Sequence, residues 1–227
     1  MSNKLKKIST SFQQWLLLIV GIAFIVTLVF LGQYQTKLFT DSANNLLNIY
    51  IKDVRHDIMD VTDKNLLILT RAVASEVNNA DKITSELLTG MLEKYNVTEI
   101  NYFSSTGVIL ASSNADFVGY DIGRGGVQAS EFWALLGAIT EYVQRFQPIG
   151  FDAQKSRKYA GVTLAAGGFI QVGYDEEAYY RAIEVAINEV VKNRHVGESG
   201  FLIVTDSAWR IISDRANNKN QPVTIVT

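Results

Sequence analysis

The chain of 227 residues contains no cysteine, two prolines and two histidines. Without a thiol it forms no disulfide framework, zinc ribbon, thioredoxin-type dithiol or cysteine nucleophile. His56 falls in a long amphipathic stretch and His195 in a connector, neither among clustered carboxylates, which argues against a metal centre or a histidine base. There is no G-x-S-x-G elbow, and the glycine-rich Asp121-Ile122-Gly123-Arg124-Gly125-Gly126 lacks the Gly-Lys-Ser/Thr of a phosphate loop, so it reads as a loop. No cofactor is expected. Charge is missing locally as well: no Asp, Glu, Lys or Arg stands between Lys7 and Lys37, and no acid precedes Asp41.

What fills that gap is apolar. Leu16 to Leu31 reads LLLIVGIAFIVTLVFL, flanked by Trp15 and Tyr34. About twenty such residues cover the roughly 30 Å of a bilayer's hydrocarbon core, with the aromatic rings at headgroup depth. A buried core helix and a cleavable signal peptide are the alternatives; the stretch is long for a signal, and Gly32-Gln33-Tyr34 offers no small-x-small cleavage site. Lys4, Lys6 and Lys7 ahead of the span predict a cytoplasmic N-terminus, membrane lipid around the helix and the remainder outside the cell. Setting aside those three and Lys37 leaves 17 basic against 23 acidic residues, a negative surface that argues against nucleic-acid binding. With 48% apolar and 19% charged residues the rest is ordinary globular chain.

The segments divide into a tip (1–11), a transmembrane helix (12–34), a stalk helix (35–81), a sensor-sized module (82–191) and the start of a second module (192–227). Along the stalk, Leu47, Ile51, Val54, Ile58, Val61, Asn65, Ile68 and Ala72 recur at spacings of four and three. That stripe is either a homodimer seam or the face by which the helix packs on its own domain. A short helix follows through Ile83, Leu87, Leu88, Met91 and Leu92. The pattern then becomes a hairpin (98–104 and 108–112), an irregular glycine-rich stretch (114–126), a helix (129–139), strands at 142–149, 158–164 and 169–173, and a helix capped by Asp175 that runs to about Val191. Neighbouring antiparallel strands without strict βαβ alternation predict an α+β fold, a PAS-like sheet with helices at its side. GFLIVTDSAWRIISD repeats the earlier INYFSSTGVILASS, and only fourteen residues follow Ser213, so the second module is expected to be incomplete.

Seven residues are candidate ligand contacts. Asp175, at a strand end beside Tyr174, is placed either to pair with a cation in an aromatic cleft or to cap the following helix. Trp133, Tyr142, Arg145, Arg157 and Tyr159 lie on the helix and strands expected to wall the same cleft, with each arginine a bidentate clamp for a carboxylate or phosphate. Aromatic core and solvated arginine are the competing readings of these positions.

Two strings, FIQVGYD at 169–175 and RHVGESGFLIV at 194–204, resemble the double Cache sensor regions of bacterial membrane receptors. Among these, the combination of EYVQRFQPI, RKYAGVTL and GGFIQVGYD looks most like the regions attached to PP2C-like, SpoIIE-type serine phosphatases. The resemblance implies that the module at 82–191 binds a small extracellular ligand and signals through the membrane helix to an output domain absent from this chain, with no catalysis of its own. In amino-acid-binding members the matching Asp holds the ligand ammonium, which falls on Asp175, but their Arg-x-Trp-Tyr string has no counterpart here. A membrane-anchored dimerisation module without a ligand is the alternative function.

Overall fold

The computed structural model describes residues 2–150, 152–198 and 200–223, with side chains from residue 12 onward. The side chains of Lys4, Lys6 and Lys7 in the tip, and residues 224–227 of the second module, lie outside the described residues. The chain forms two units, Met1–Val54 and Arg55–Thr227.

The first unit belongs to helix α1 (Ser2–Asn78). It carries the one stretch among the described residues that is long and apolar enough to cross a membrane. Every side chain from Phe12 to Ile49 is exposed. The one polar side chain within Leu16–Leu31, Thr27, donates its hydroxyl to Ala23 O at 2.8 Å, so nothing polar is left unsatisfied in a hydrocarbon setting.

In the second unit α1 continues, followed by α2 (Ser85–Tyr95), which Thr84 opens by accepting from Leu87 N and Asn96 closes in the left-handed conformation. The sheet comprises β1 (Glu99–Phe103), β2 (Ile109–Ser112), β3 (Glu141–Val143), β4 (Gln147–Pro148), β5 (Ser156–Thr163) and β6 (Phe169–Tyr174). Its order is β2-β1-β6-β5-β3, with β4 paired to β5 and every pair antiparallel. Strand alternation sorts the side chains into two faces. Ile100, Ala160, Ile170, Val172 and Tyr174 face α1, α2 and α4 (Glu176–Asn193), where they meet Leu66, Val73, Val77, Leu88, Met91 and Ala178. Glu99, Asn101, Phe103, Tyr159, Phe169 and Gln171 face the other way and are covered by 113–137, which includes α3 (Gly126–Ser130).

Three sequence expectations need correction. The helix at 129–139 is α3 followed by a 3₁₀ turn over Glu131–Leu136. The strand at 142–149 is broken into β3 and β4, because Gln144 turns inward and donates to Gln128 O and Glu131 Oε2, both at 2.8 Å. The buried face of α1 only partly follows the expected stripe: Val54 is buried and Ile58, Val61, Asn65 and Ala72 are half-buried, but Thr62, Leu66, Thr70, Val73 and Val77 are buried as well, and Leu47, Ile51 and Ile68 are exposed. Thr62 and Thr70 hide in the core by donating to Ile58 O (2.7 Å) and Leu66 O (2.8 Å) of their own helix, which lets polar residues occupy apolar positions.

Past α4, β7 (His195–Val196) pairs with β8 (Gly200–Phe201), and β9 (Val204–Thr205) pairs with β10 (Ile211–Ser213). The second hairpin turns on Asp206, whose Oδ1 accepts from Ala208 N and Arg210 N at 2.9 Å each.

Candidate functional site

The covered face of the sheet contains a cavity of about 40 Å³. Its polar floor comes from the two central strands and β5: Glu99 and Asn101 on β1, Gln171 on β6, Tyr159 on β5. Phe103, Ile109, Phe117, Ile122, Ala129 and Ile149 supply the apolar wall. The covering segment is held to β2 and its turn by backbone bonds from Gly119 N to Ile109 O (2.9 Å), Ile109 N to Tyr120 O (2.9 Å) and Ile122 N to Gly107 O (3.0 Å). Gln128 closes one side, donating to Gln144 Oε1 (2.8 Å) and accepting from Gly150 N (2.9 Å).

The floor is a connected network. Glu99 Oε1 accepts from the Tyr159 hydroxyl at 2.6 Å and from Asn101 Nδ2 at 2.7 Å. Asn101 also donates to Gln171 Oε1 at 3.0 Å and accepts from the Ser112 hydroxyl at 2.6 Å. Glu99 Oε2 stands 3.7 Å from Arg157 Nε, an ion pair too long for a hydrogen bond. Tyr159 reaches Glu99 because its neighbour on β6 is a glycine: a Cβ on Gly173 would lie 2.5 Å from Tyr159 Cε1.

Burial is the main influence on both acids of this pair. It raises the Glu99 carboxyl above its ordinary 4.5, and the bonds from Tyr159 and Asn101 and the charge of Arg157 offset this only in part. It also pushes the Tyr159 phenol well up, helped by the adjacent carboxylate. A carboxyl whose pKa rises on folding contributes stability that is complete below the unfolded-state value and is lost as pH climbs through the folded-state one. Above pH 4.5, the melting temperature of the wild type is therefore expected to fall relative to that of Glu99→Gln as pH increases. Parallel profiles for the two proteins would contradict this.

No family model matches the sequence, and no curated protein matches it significantly. Three solved structures align with it at low similarity. The Escherichia coli DcuS sensor domain aligns at 13% identity and a TM-score of 0.41, over 56% of this chain and 97% of that one. An extracellular ligand binding receptor from Desulfohalobium retbaense aligns at 13% identity and 0.40, over 73% of this chain and 30% of that one. The sensor domain of the Vibrio cholerae histidine kinase DctB aligns at 19% identity and 0.33, over 82% of this chain and 66% of that one. The chemistry of the cavity rests on its own residues.

Of the seven candidate contacts, Tyr159 lines the cavity and Arg157 flanks it through Glu99. Tyr142 and Trp133 belong to the structure over the same face without lining the cavity. The Tyr142 hydroxyl donates to Glu131 Oε2 at 2.9 Å, and burial together with that bond pushes its pKa up to about 12. Trp133 is 45% exposed on the 3₁₀ turn. Arg145 is exposed beside a different hollow, lined among others by His56, Asp63, Lys158 and Tyr179. Tyr174 is buried on the opposite face of the sheet. Asp175 caps α4, its Oδ1 accepting from Ala178 N at 2.9 Å. Asp121 similarly accepts from Gly123 N at 2.8 Å within its own turn.

Sequence reasoning missed Glu99, Asn101, Gln128 and Gln171. A signal existed: Glu99 and Asn101 alternate with Ile100 and Tyr102 in β1, and Gln171 sits between Ile170 and Val172 in β6. Polar residues at period two inside otherwise apolar central strands mark a face that is polar by design, whether wet or enclosed.

Proposed function

We propose that this chain is the extracytoplasmic small-ligand sensing region of a bacterial transmembrane signalling receptor, held by its N-terminal helix with the tip in the cytoplasm. A small extracellular ligand occupies the cavity on the covered face, and α1 relays its binding to a cytoplasmic output domain. No catalytic step is assigned to these residues. The affiliation with serine phosphatases rests on the sequence strings at 141–149, 157–164 and 167–175.

The observation that carries the reading is a buried polar network at the bottom of an apolar cavity, roofed by the short helical turns and loops of 113–137 rather than by another sheet. A fold needing only stability gains little from a buried carboxylate, because apolar replacements of similar volume are commonly as stable. A ligand acts on such a module only through different affinities for its two packings. The exposed Leu47, Ile51 and Ile68 of α1 favour, as a second reading, a homodimerisation module that binds nothing.

Thermal unfolding of the detergent-solubilised chain against amino acids, organic acids, amines and nucleosides separates the two. A ligand that binds the folded state raises the melting temperature with concentration, by mass action. The sensing reading expects at least one compound to do so, with the effect removed by Gln171→Leu. A flat response across the panel, with oligomers lost in Ile51→Asp, would leave the dimerisation reading in its place.

A further inference from the structure

The cavity's lining carries a single formal charge, and it is negative. Glu99 is the one ionisable acid among the residues that line it, and no lysine, arginine or histidine joins it. The carboxylate is 3% exposed. Its Oε1 is used twice, by Tyr159 and Asn101, while Oε2 has no hydrogen bond among the described residues. Arg157 lies outside the lining, with its Nη1 committed to Ser156 O at 3.0 Å and its Nε in the 3.7 Å ion pair with Oε2, so Oε2 has a counter-charge beside it but no hydrogen-bond donor among the described residues.

We propose that the ligand is a small primary alkylammonium ion, its nitrogen against Glu99 Oε2 and its alkyl end against Phe103, Phe117 and Ile149. This rests on the sensing reading and gives it a ligand class. Three physical points select the class. An anion placed here would face a desolvated carboxylate with no cation in the lining, whereas an ammonium supplies the hydrogen-bond donors that Oε2 lacks. Phe103, Phe117, Tyr120 and Tyr159 line the cavity together with the carboxylate, and aromatic surroundings favour a cation over an anion. The size also fits: about 40 Å³ admits roughly three water-sized atoms, the scale of ethylammonium, without opening the fold. Burial raises the Glu99 pKa in the empty protein. An ammonium that binds the ionised carboxylate therefore gains affinity as pH rises across the range in which Glu99 titrates.

The test uses the full chain in detergent, with methyl-, ethyl- and propylammonium chloride set against sodium acetate, sodium propionate and 1-propanol at matched ionic strength. The ammonium series should raise the melting temperature and the carboxylates should not; in Glu99→Gln the apparent Kd for the best ammonium should weaken by at least about tenfold. Glu99→Asp, which keeps the charge and shortens the side chain by one methylene, should move the preferred alkyl length up by one carbon. Carboxylates or the alcohol acting in place of the ammonium ions would overturn the ligand class while leaving the sensing reading intact. Ammonium stabilisation that survives unchanged in both Glu99 variants would overturn the site. Silence from all six compounds would overturn the proposal, and the broader panel then decides the sensing reading separately.

Discussion

Phe169→Ala is expected to destabilise the folded domain by about 3–5 kcal/mol, the range for truncating a fully buried phenylalanine, lowering its melting temperature by roughly 10 °C. Phe169 has no exposed surface. Its ring stacks on Phe103 at 4.4 Å between centroids, the cross-strand partner in the β1–β6 ladder, and lies 6.1 Å from Phe132 on the covering segment. The ring thus fastens the segment that roofs the cavity to the strands that form its floor. Removal leaves a void between two rigid strands, which cannot close on one another without breaking the ladder. Phe169→Leu, which retains most of the volume, should lose much less. Chemical denaturation of the full chain in detergent provides the measurement. A loss below about 1 kcal/mol for the alanine variant would show that the covering segment collapses into the space, and that the roof is not held by packing.

Asp63→Ala is expected to cost about 2–3 kcal/mol, more than a surface ion pair is worth, because it strands a buried cation. The Lys158 side chain is 4% exposed and lies on the α1 face of β5. Its ammonium pairs with Asp63 Oδ1 of α1 at 2.5 Å, donates to Gln144 O at 3.1 Å and sits 5.8 Å above the Tyr179 ring. The 43% exposure of Asp63 admits water, which keeps the loss below that of a fully enclosed pair. Adding Lys158→Met removes the stranded charge while preserving the length of the side chain, so the double variant should recover most of the stability. The two-variant cycle distinguishes this from a local helix effect. Equal losses for the single and double variants would mean that Asp63 matters for the helix and not for the lysine.

How far the sequence disclosed this molecule depends on whether each feature is local. Strands β1, β2, β5 and β6 were legible because their alternation is interrupted by Ser105-Thr106-Gly107 and Ala165-Ala166-Gly167-Gly168, turn sequences that announce themselves. Asp175 was legible as a cap for the same reason: the bond runs three residues along the chain. The break between β3 and β4 was not, since it follows from Gln144 finding partners on Gln128 and Glu131, more than a dozen residues away. The packing face of α1 was obscured by threonines that count as polar in any periodicity yet satisfy themselves within the helix.

The site was the least legible part. Glu99, Asn101 and Gln171 look like the solvent side of a half-exposed sheet until 113–137 is laid over them. The aromatic and arginine residues that drew attention instead are mostly employed elsewhere. Tyr174 fills the helix-side core, Tyr142 holds Glu131, and Arg145 stands by another hollow. Only Tyr159 combined a conspicuous side chain with a place in the cavity, and it does so because Gly173 leaves the strand beside it bare.

The threonine-lined face of α1 bears on motion. Because Thr62 and Thr70 keep their hydroxyls bonded to their own helix, neither hydroxyl would have to change partner if α1 shifted along the sheet. The polar ties between this helix and the sheet are Asp63 with Lys158, the forked pair of Arg71 with Glu141, and Asn78 Oδ1, which accepts from Ala165 N at 3.3 Å. A shift of α1 along the sheet would have to release those three ties.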